Sequence, residues 1–170
     1  MARTLLITGG SAGIGAACAR LGAAQGRDVI LTYNSDPAGA EATAAAVRAL
    51  GQSAQVHRCD VAEPAQISAL FSAIDPTTPI DLINNAGIVG LKASIADLTP
   101  ERLTRMFAVN VVGATLVAQA AVAHMRRTGV GHIGNLSSAA ARLGSPNEFI
   151  DYAASKGAID TFTLGLAGEL

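Results

Sequence analysis

Short apolar runs recur along this chain, and each gap between them holds a different kind of segment. Thr4 to Thr8, Asp28 to Tyr33, Ala54 to Arg58, Ile80 to Asn84 and His132 to Leu136 read as strands. Between them lie alanine-rich helical patterns that begin near Gly13, Pro37, Pro64 and Thr99, with another near Asp151. Gly26, Gly51 and Gly129 stand where helices should stop. Thr99-Pro100-Glu101 offers a capping hydroxyl, a proline for the first turn and a carboxylate favoured by the helix dipole. Strand–helix alternation at this spacing requires right-handed crossovers, and so predicts an α/β fold with a doubly wound parallel sheet. No repeat or low-complexity linker divides the 170 residues, so residues 1–170 read as one domain.

Composition excludes several classes of partner. Lys+Arg 12 against Asp+Glu 13 leaves a formal net charge of -1, so no basic field invites nucleic acid. Aromatics are 4% with no Trp, too few for a base-stacking platform. Cys18 and Cys59 lie far apart and outside any CxxC, which argues against a disulfide or a zinc site and suits a reducing cytoplasm. Cys18 falls on an apolar stripe with Ile14, Ala17 and Leu21, which reads as core. His57, His124 and His132 lack metal-ligand spacing and read as surface or helix-end residues, with no metal expected.

The first apolar run begins almost at Met1, leaving no room for a signal peptide. Met106 to Met125 has no charged residue apart from a protonatable His124. Asn110, Gly113, Thr115 and Gln119 interrupt it, and Arg102, Arg105, Arg126 and Arg127 flank it. A buried helix is expected there, not a membrane span.

The residues that carry chemistry begin at Thr8-Gly9-Gly10-Ser11-Ala12-Gly13-Ile14-Gly15, after the first strand and opening a helix. Glycines let the backbone turn tightly and approach a pyrophosphate, whose charge the helix N-terminal amides stabilise. A glycine-rich turn alone can be structural, but this position makes a dinucleotide site the better reading. The spacing is Gly-x3-Gly-x-Gly, which differs from the commoner dinucleotide fingerprint.

That spacing resembles the T-G-x3-G-x-G turn of the short-chain dehydrogenase/reductase (SDR) family, and the likeness recurs in order along the chain. Cys59-Asp60-Val61 looks like the family's acid after strand three, Asn84-Asn85-Ala86-Gly87 like its N-N-A-G, and Asn110 like its helix asparagine. Asn135-Leu136-Ser137-Ser138 and Tyr152-Ala153-Ala154-Ser155-Lys156 are similar to its catalytic serine and Y-x3-K. The resemblance implies a Rossmann-type sheet of order 3-2-1-4-5 and a nicotinamide dinucleotide cofactor. It implies that Gly9, Ser11, Gly13, Ile14, Gly15, Asn34, Ser35, Asp60, Val61, Asn85, Ala86 and Gly87 bind that cofactor, together with Tyr152 and Lys156. It implies catalysis by Asn110, Ser138, Tyr152 and Lys156. Family members continue with two more strands and a substrate-covering lid, so the domain is expected to be incomplete at its C-terminus.

The residue chemistry is compatible with that. Tyr152 and Lys156, four apart on a predicted helix, share a face. A free phenol is a poor base near neutrality, and a neighbouring ammonium stabilises its ionised form. Such a tyrosine can exchange a proton with an alcohol or carbonyl while hydride moves to or from the cofactor. Taken singly, Ser138 is a strand-end hydroxyl, Tyr152 a half-buried aromatic, Lys156 a solvated helix residue and Asn110 a core amide; only the joint pattern is informative. Ser138 lies fourteen residues before Tyr152, one more than the common family gap. It is nonetheless expected ahead of Ser137, with the loop Leu143 to Glu148 bordering the substrate.

At the end of strand two, Tyr33 stands where an acid would select NAD, and Asn34 and Ser35 can hydrogen-bond a phosphate. No carboxylate is expected there, and NADP is favoured with NAD possible, although arginine is missing at Ala12 and Asn34. The substrate is a small-molecule alcohol or carbonyl; similarity to sugar dehydrogenases and 3-oxoacyl-carrier-protein reductases is the nearest guide. Two other readings stay open: a catalytically impaired dinucleotide-binding fragment, and an epimerase or dehydratase of the extended branch, against which the glycine spacing argues. Apolar Val111, Val112, Leu116, Val117, Leu164 and Leu166 suggest a homodimer or homotetramer through helix faces.

Overall fold

The structure, a computed structural model, describes residues 3–170. Met1, on which the reading of a missing signal peptide rests, lies outside them, as does Ala2. Among the described residues five strands form one parallel sheet: β1 (Thr4–Ile7), β2 (Val29–Tyr33), β3 (Ala54–Arg58), β4 (Ile80–Asn84) and β5 (Ile133–Asn135). Their order is β3-β2-β1-β4-β5, as the alternation and the family resemblance together predict. Leu6 stands in register with Ile30 on one side and Leu82 on the other, which places the most buried strands at the centre.

Helices cover both faces. α1 (Gly13–Ala24) and α2 (Pro37–Ala49) bury Ala19, Ala23, Ala44 and Val47 against Leu5, Ile7, Val29 and Leu31. α3 (Pro64–Ala73) and α5 (Ala114–Thr128) bury Ile67, Leu70, Val117 and Ala121 against Leu6, Ile30 and Leu82. α4 (Pro100–Phe107) begins as the sequence anticipates: Pro100 opens it, and the Thr99 hydroxyl accepts from the Arg102 amide at 3.2 Å. After it, Ala108–Gly113 winds as a π-helix before α5, a register change that no periodicity announced. α6 (Ala140–Leu143) is short, and α7 (Ile150–Glu169) packs on α4 and the π segment.

Three expectations need correction. The stripe Ile14, Ala17, Cys18, Leu21 is not core: Ile14 is 58% and Leu21 62% exposed, and Cys18 is half-buried. α1 lies so close to the sheet that only Gly15, Ala16, Ala19, Gly22 and Ala23 fit beneath it. A Cβ on Gly22 would stand 2.7 Å from Leu5 Cδ2, so the larger side chains point outward. His124 is fully buried in α5, where its Nε2 donates to the Thr78 carbonyl at 2.8 Å, so it is not a surface histidine. Val117 is likewise core, which narrows the exposed apolar face around it.

The helical stretch Pro100–Thr128 is long and apolar enough to cross a membrane, with mean hydropathy 1.8. Its inner side is instead packed into the sheet layer through Val109, Val117 and Ala121.

Candidate active site

The chain ends of β1, β2, β3 and β4 open onto one cleft of about 600 Å³, where a parallel sheet of this kind offers ligands a crevice. The turn after β1 lines part of it. Gly9 and Gly13 have φ of +68° and +54°, a left-handed backbone that side chains resist. Gly15 is forced by packing, since a Cβ there would lie 2.3 Å from the Gly9 carbonyl oxygen. The turn is clamped to β4: the Thr8 hydroxyl accepts from the Asn85 and Ala86 amides at 3.0 Å. The Asn85 carboxamide donates to the Thr8 and Gly9 carbonyls at 2.9 Å. Asn85 therefore shapes the turn as well as lining the cleft. Ala12, at the N-cap of α1, offers no side-chain cap, and the first turn holds no acid. The first amides of α1 remain available to an anion, which is what a pyrophosphate needs.

Asn34, Ser35, Asp60 and Val61 line the next stretch of the cleft, joined by Arg105 from α4. Asp60 accepts from Arg105 Nη2 at 2.9 Å, Asn34 Nδ2 at 3.3 Å and the Ala62 amide at 2.9 Å. Burial alone would raise the Asp60 carboxyl, but these donors outweigh it and hold the group below the ordinary carboxylate range. Asp36 also lines this end, its carboxylate accepting from the Gly39 amide at 2.9 Å to cap α2. Cys59 is buried, and its thiol is pushed up to about 11 by that burial and by Asp60, so it stays protonated.

Tyr152 and Lys156 line the far end, one turn apart on α7. Lys156 Nζ donates to the Leu136 carbonyl at 2.7 Å and lies 5.7 Å from the Tyr152 ring centroid. Burial pulls the Lys156 ammonium below the ordinary lysine value, with Asp160 opposing. Gly87 leaves space for the Asn110 carboxamide, since a Cβ there would come within 3.2 Å of Asn110 Oδ1, while Lys156 Nζ at 3.6 Å would be in ordinary contact.

Asn110 and Ser138 are placed differently. Asn110 is buried in the π segment, behind the cleft wall. Its Oδ1 accepts from the Ile88 amide at 2.8 Å, while Nδ2 donates to the Ile88 carbonyl at 2.9 Å and to Ser155 Oγ at 3.0 Å. Ser155 in turn donates to the Tyr152 carbonyl at 2.7 Å. Ser138 Oγ accepts from the Ala140 amide at 3.2 Å where α6 begins, and Ser137 Oγ donates to the Lys156 carbonyl at 3.4 Å. Neither serine is among the residues that line this cleft. Ser155 and Arg105 were missed from the sequence. Ser155 stands three residues after Tyr152, a helical neighbour that could have been noticed; nothing local marks Arg105.

The family model described as short chain dehydrogenase matches residues 3–170. The chain is 42% identical over 170 residues to the uncharacterized oxidoreductase YgfF of Escherichia coli, an alignment covering 97% of this chain and 69% of that protein. It is 33% identical to glucose 1-dehydrogenase 2 of Bacillus subtilis, covering 97% of this chain and 65% of that one. Its fold superposes on that of an NAD+-bound xylitol dehydrogenase with TM-score 0.92 at 32% identity, covering 98% of this chain and 64% of the other. The chain thus spans about two thirds of the length of the proteins it matches.

Proposed function

Because the chain belongs to the short chain dehydrogenase family, we propose that it interconverts a secondary alcohol and a carbonyl with a nicotinamide dinucleotide. The observation that carries this reading is the sharing of one cleft by the uncapped start of α1 and the Tyr152–Lys156 pair. The dinucleotide, when bound, supplies or accepts the hydride. The Gly9–Gly15 turn and the first amides of α1 hold its pyrophosphate, and Asp60 with Val61 flanks its adenine. Tyr152 moves the proton at its phenol oxygen. Lys156 keeps positive charge beside that oxygen and hydrogen-bonds the nicotinamide ribose. Asn110 holds Ser155 and the Ile88 backbone behind them, a support for a water-linked proton path. Ser138 orients the substrate oxygen once substrate is present.

NADP is our preferred dinucleotide, with NAD possible: Tyr33 is no acid, Asn34 and Ser35 offer hydrogen bonds, and Arg105 adds a cation to that end. The substrate is a small-molecule alcohol or carbonyl, and the setting is cytoplasmic. Val112 and Leu164 are exposed and Val111, Leu116 and Leu166 half-buried, with Val117 alone turned into the core, and we assign these helix faces to a homodimer, alone or within a tetramer. A concentration-independent monomer in sedimentation would remove the dimer from this picture.

The deciding experiment is a dinucleotide-dependent turnover screen over alcohols, sugars, ketones and aldehydes, run beside Tyr152→Phe. Turnover that falls by about 10² or more in the variant, with dinucleotide binding kept, supports the reading. Dinucleotide binding without turnover on any substrate would make the protein a nucleotide-binding module instead.

A further inference from the structure

Asp151, the residue before Tyr152, has a side chain with no exposure at all, yet carries a charge. Its partner is Arg102 in the first turn of α4. Nε donates to Oδ2 at 2.7 Å and Nη2 to Oδ1 at 3.1 Å, a two-pronged pairing that fixes orientation as well as distance. The third arm, Nη1, donates to the Leu91 carbonyl at 2.7 Å. The loop approaches so closely that a Cβ on Gly90 would stand 2.8 Å from the guanidinium carbon. One side chain thus joins the β4–α4 loop, the start of α4 and the first turn of α7.

Around that turn the Glu148 carbonyl accepts from the Ala93 amide at 2.9 Å and the Tyr152 carbonyl from the Ser155 hydroxyl at 2.7 Å, and the Arg102–Asp151 pair is its salt bridge to α4. Phe149 stands at the cap position and provides no side-chain hydrogen bond. Ser145 and Asn147, just upstream, have φ of +46° and +60°, a backbone that non-glycine residues avoid. Further along α7 the anchors are independent of Arg102: Ser155 is held by Asn110, and Lys156 by the Leu136 carbonyl. Tyr152 lies between the two regions.

We propose that the Arg102–Asp151 pair is a positioning device that sets the first turn of α7, and with it the place of the Tyr152 phenol in the cleft. The inference rests on Tyr152 being the proton carrier. It adds that the carrier's position is set from α4 and from the β4–α4 loop, whose Ile88 and Val89 line the same cleft. An altered pair moves residue 152 and leaves Lys156 and the dinucleotide turn where they are.

The test compares Arg102→Met, Arg102→Lys, Asp151→Asn and Tyr152→Phe in the protein expressed from its own gene. This chain has no tryptophan, and Tyr33 is its only other tyrosine. Near-ultraviolet circular dichroism, taken for each protein as the difference from its own Tyr152→Phe counterpart, cancels every other aromatic of the expressed protein and reports how firmly Tyr152 is held. Arg102→Met should lose most of that signal and lower kcat by about 10²-fold, the usual consequence of a misplaced reacting group. Dinucleotide Kd should stay within about twofold, because the glycine turn is untouched. Arg102→Lys, which keeps the charge but not the fork, should recover only part of both. Should Arg102→Met fail to fold, the isosteric Asp151→Asn takes its place, with the same direction expected.

An unchanged Tyr152 signal, or a loss of kcat matched by an equal loss of dinucleotide binding, overturns the positioning role. Full turnover in Tyr152→Phe would instead remove Tyr152 from the chemistry, and the dichroism would still decide whether the pair positions it.

Discussion

The Lys156 ammonium sits 5.7 Å from the centre of the Tyr152 ring while donating to the Leu136 carbonyl at 2.7 Å. The backbone bond takes one of its three donors and fixes the charge beside the phenol, leaving the other donors for the cleft. Lys156→Ala should therefore do two things at once. Turnover should fall by about 10² or more, and dinucleotide binding should weaken too, unlike in Tyr152→Phe. Steady-state kinetics paired with a fluorescence titration of the reduced cofactor separates the two variants. Unchanged binding in Lys156→Ala would deny the residue its contact with the ribose.

Gly15 tests the turn. A methyl group there meets the Gly9 carbonyl at 2.3 Å and the Asn85 amide nitrogen at 2.7 Å, both parts of the clamp that shapes the site. Overpacking of this kind costs about 1–3 kcal/mol, so Gly15→Ala should lower the melting temperature and weaken dinucleotide binding about tenfold or more. Gly165 has nothing within 4 Å of its built Cβ. Gly165→Ala is the control, and should leave dinucleotide affinity unaltered.

Cofactor choice is open to a charge test. Tyr33 ends β2, and Asp36 and Asp60 already stand at the same end of the cleft opposite Arg105. Tyr33→Asp adds a third carboxylate and should shift the ratio of affinities toward NAD. Arg105→Gln should weaken NADP more than NAD. Titrations that find the parent binding NAD at least about tenfold tighter, a difference of about 1.4 kcal/mol, would overturn the NADP assignment.

Acid should destabilise the protein through its depressed carboxylates, the buried Asp151 and Asp81 first among them. Asp151 is held below the ordinary range chiefly by Arg102. Asp81 is pushed up by burial but held lower overall by Arg3 at 2.9 Å, His132 at 3.1 Å and Arg27 at 2.6 Å. A carboxylate with a depressed folded value contributes stability that is complete above its unfolded value, near 4. That contribution is lost as pH falls through the folded value. Denaturant midpoints should be flat above about pH 5 and drop below about pH 4. Asp81→Asn should be less stable at neutral pH and show a shallower acid decline. An equally steep decline in that variant would place the acid sensitivity elsewhere.

The sheet and the cofactor end were legible in the sequence because their signals are local. Apolar runs of strand length alternating with helical patterns determine a parallel sheet, and the family's motifs give it the order β3-β2-β1-β4-β5. A glycine whose φ must be positive, or whose Cβ would strike a carbonyl, is a constraint written at one position, which is why Gly9, Gly13 and Gly15 could be read directly. The spacing of Tyr152 and Lys156 is one helical turn, also a local fact. What only the tertiary structure decided depends on how close elements come. The outward turn of Ile14 and Leu21 follows from the tight seat of α1 on the sheet, and the burial of His124 from the Thr78 carbonyl that meets it. The π segment around Asn110, the approach of Arg105 to Asp60 and the Arg102–Asp151 pair join residues 45 to 49 positions apart or change a helix's register. Periodicity along one element carries no record of such distances. They are set when the helices pack, and it is that packing that puts charge and hydrogen bonds around Tyr152.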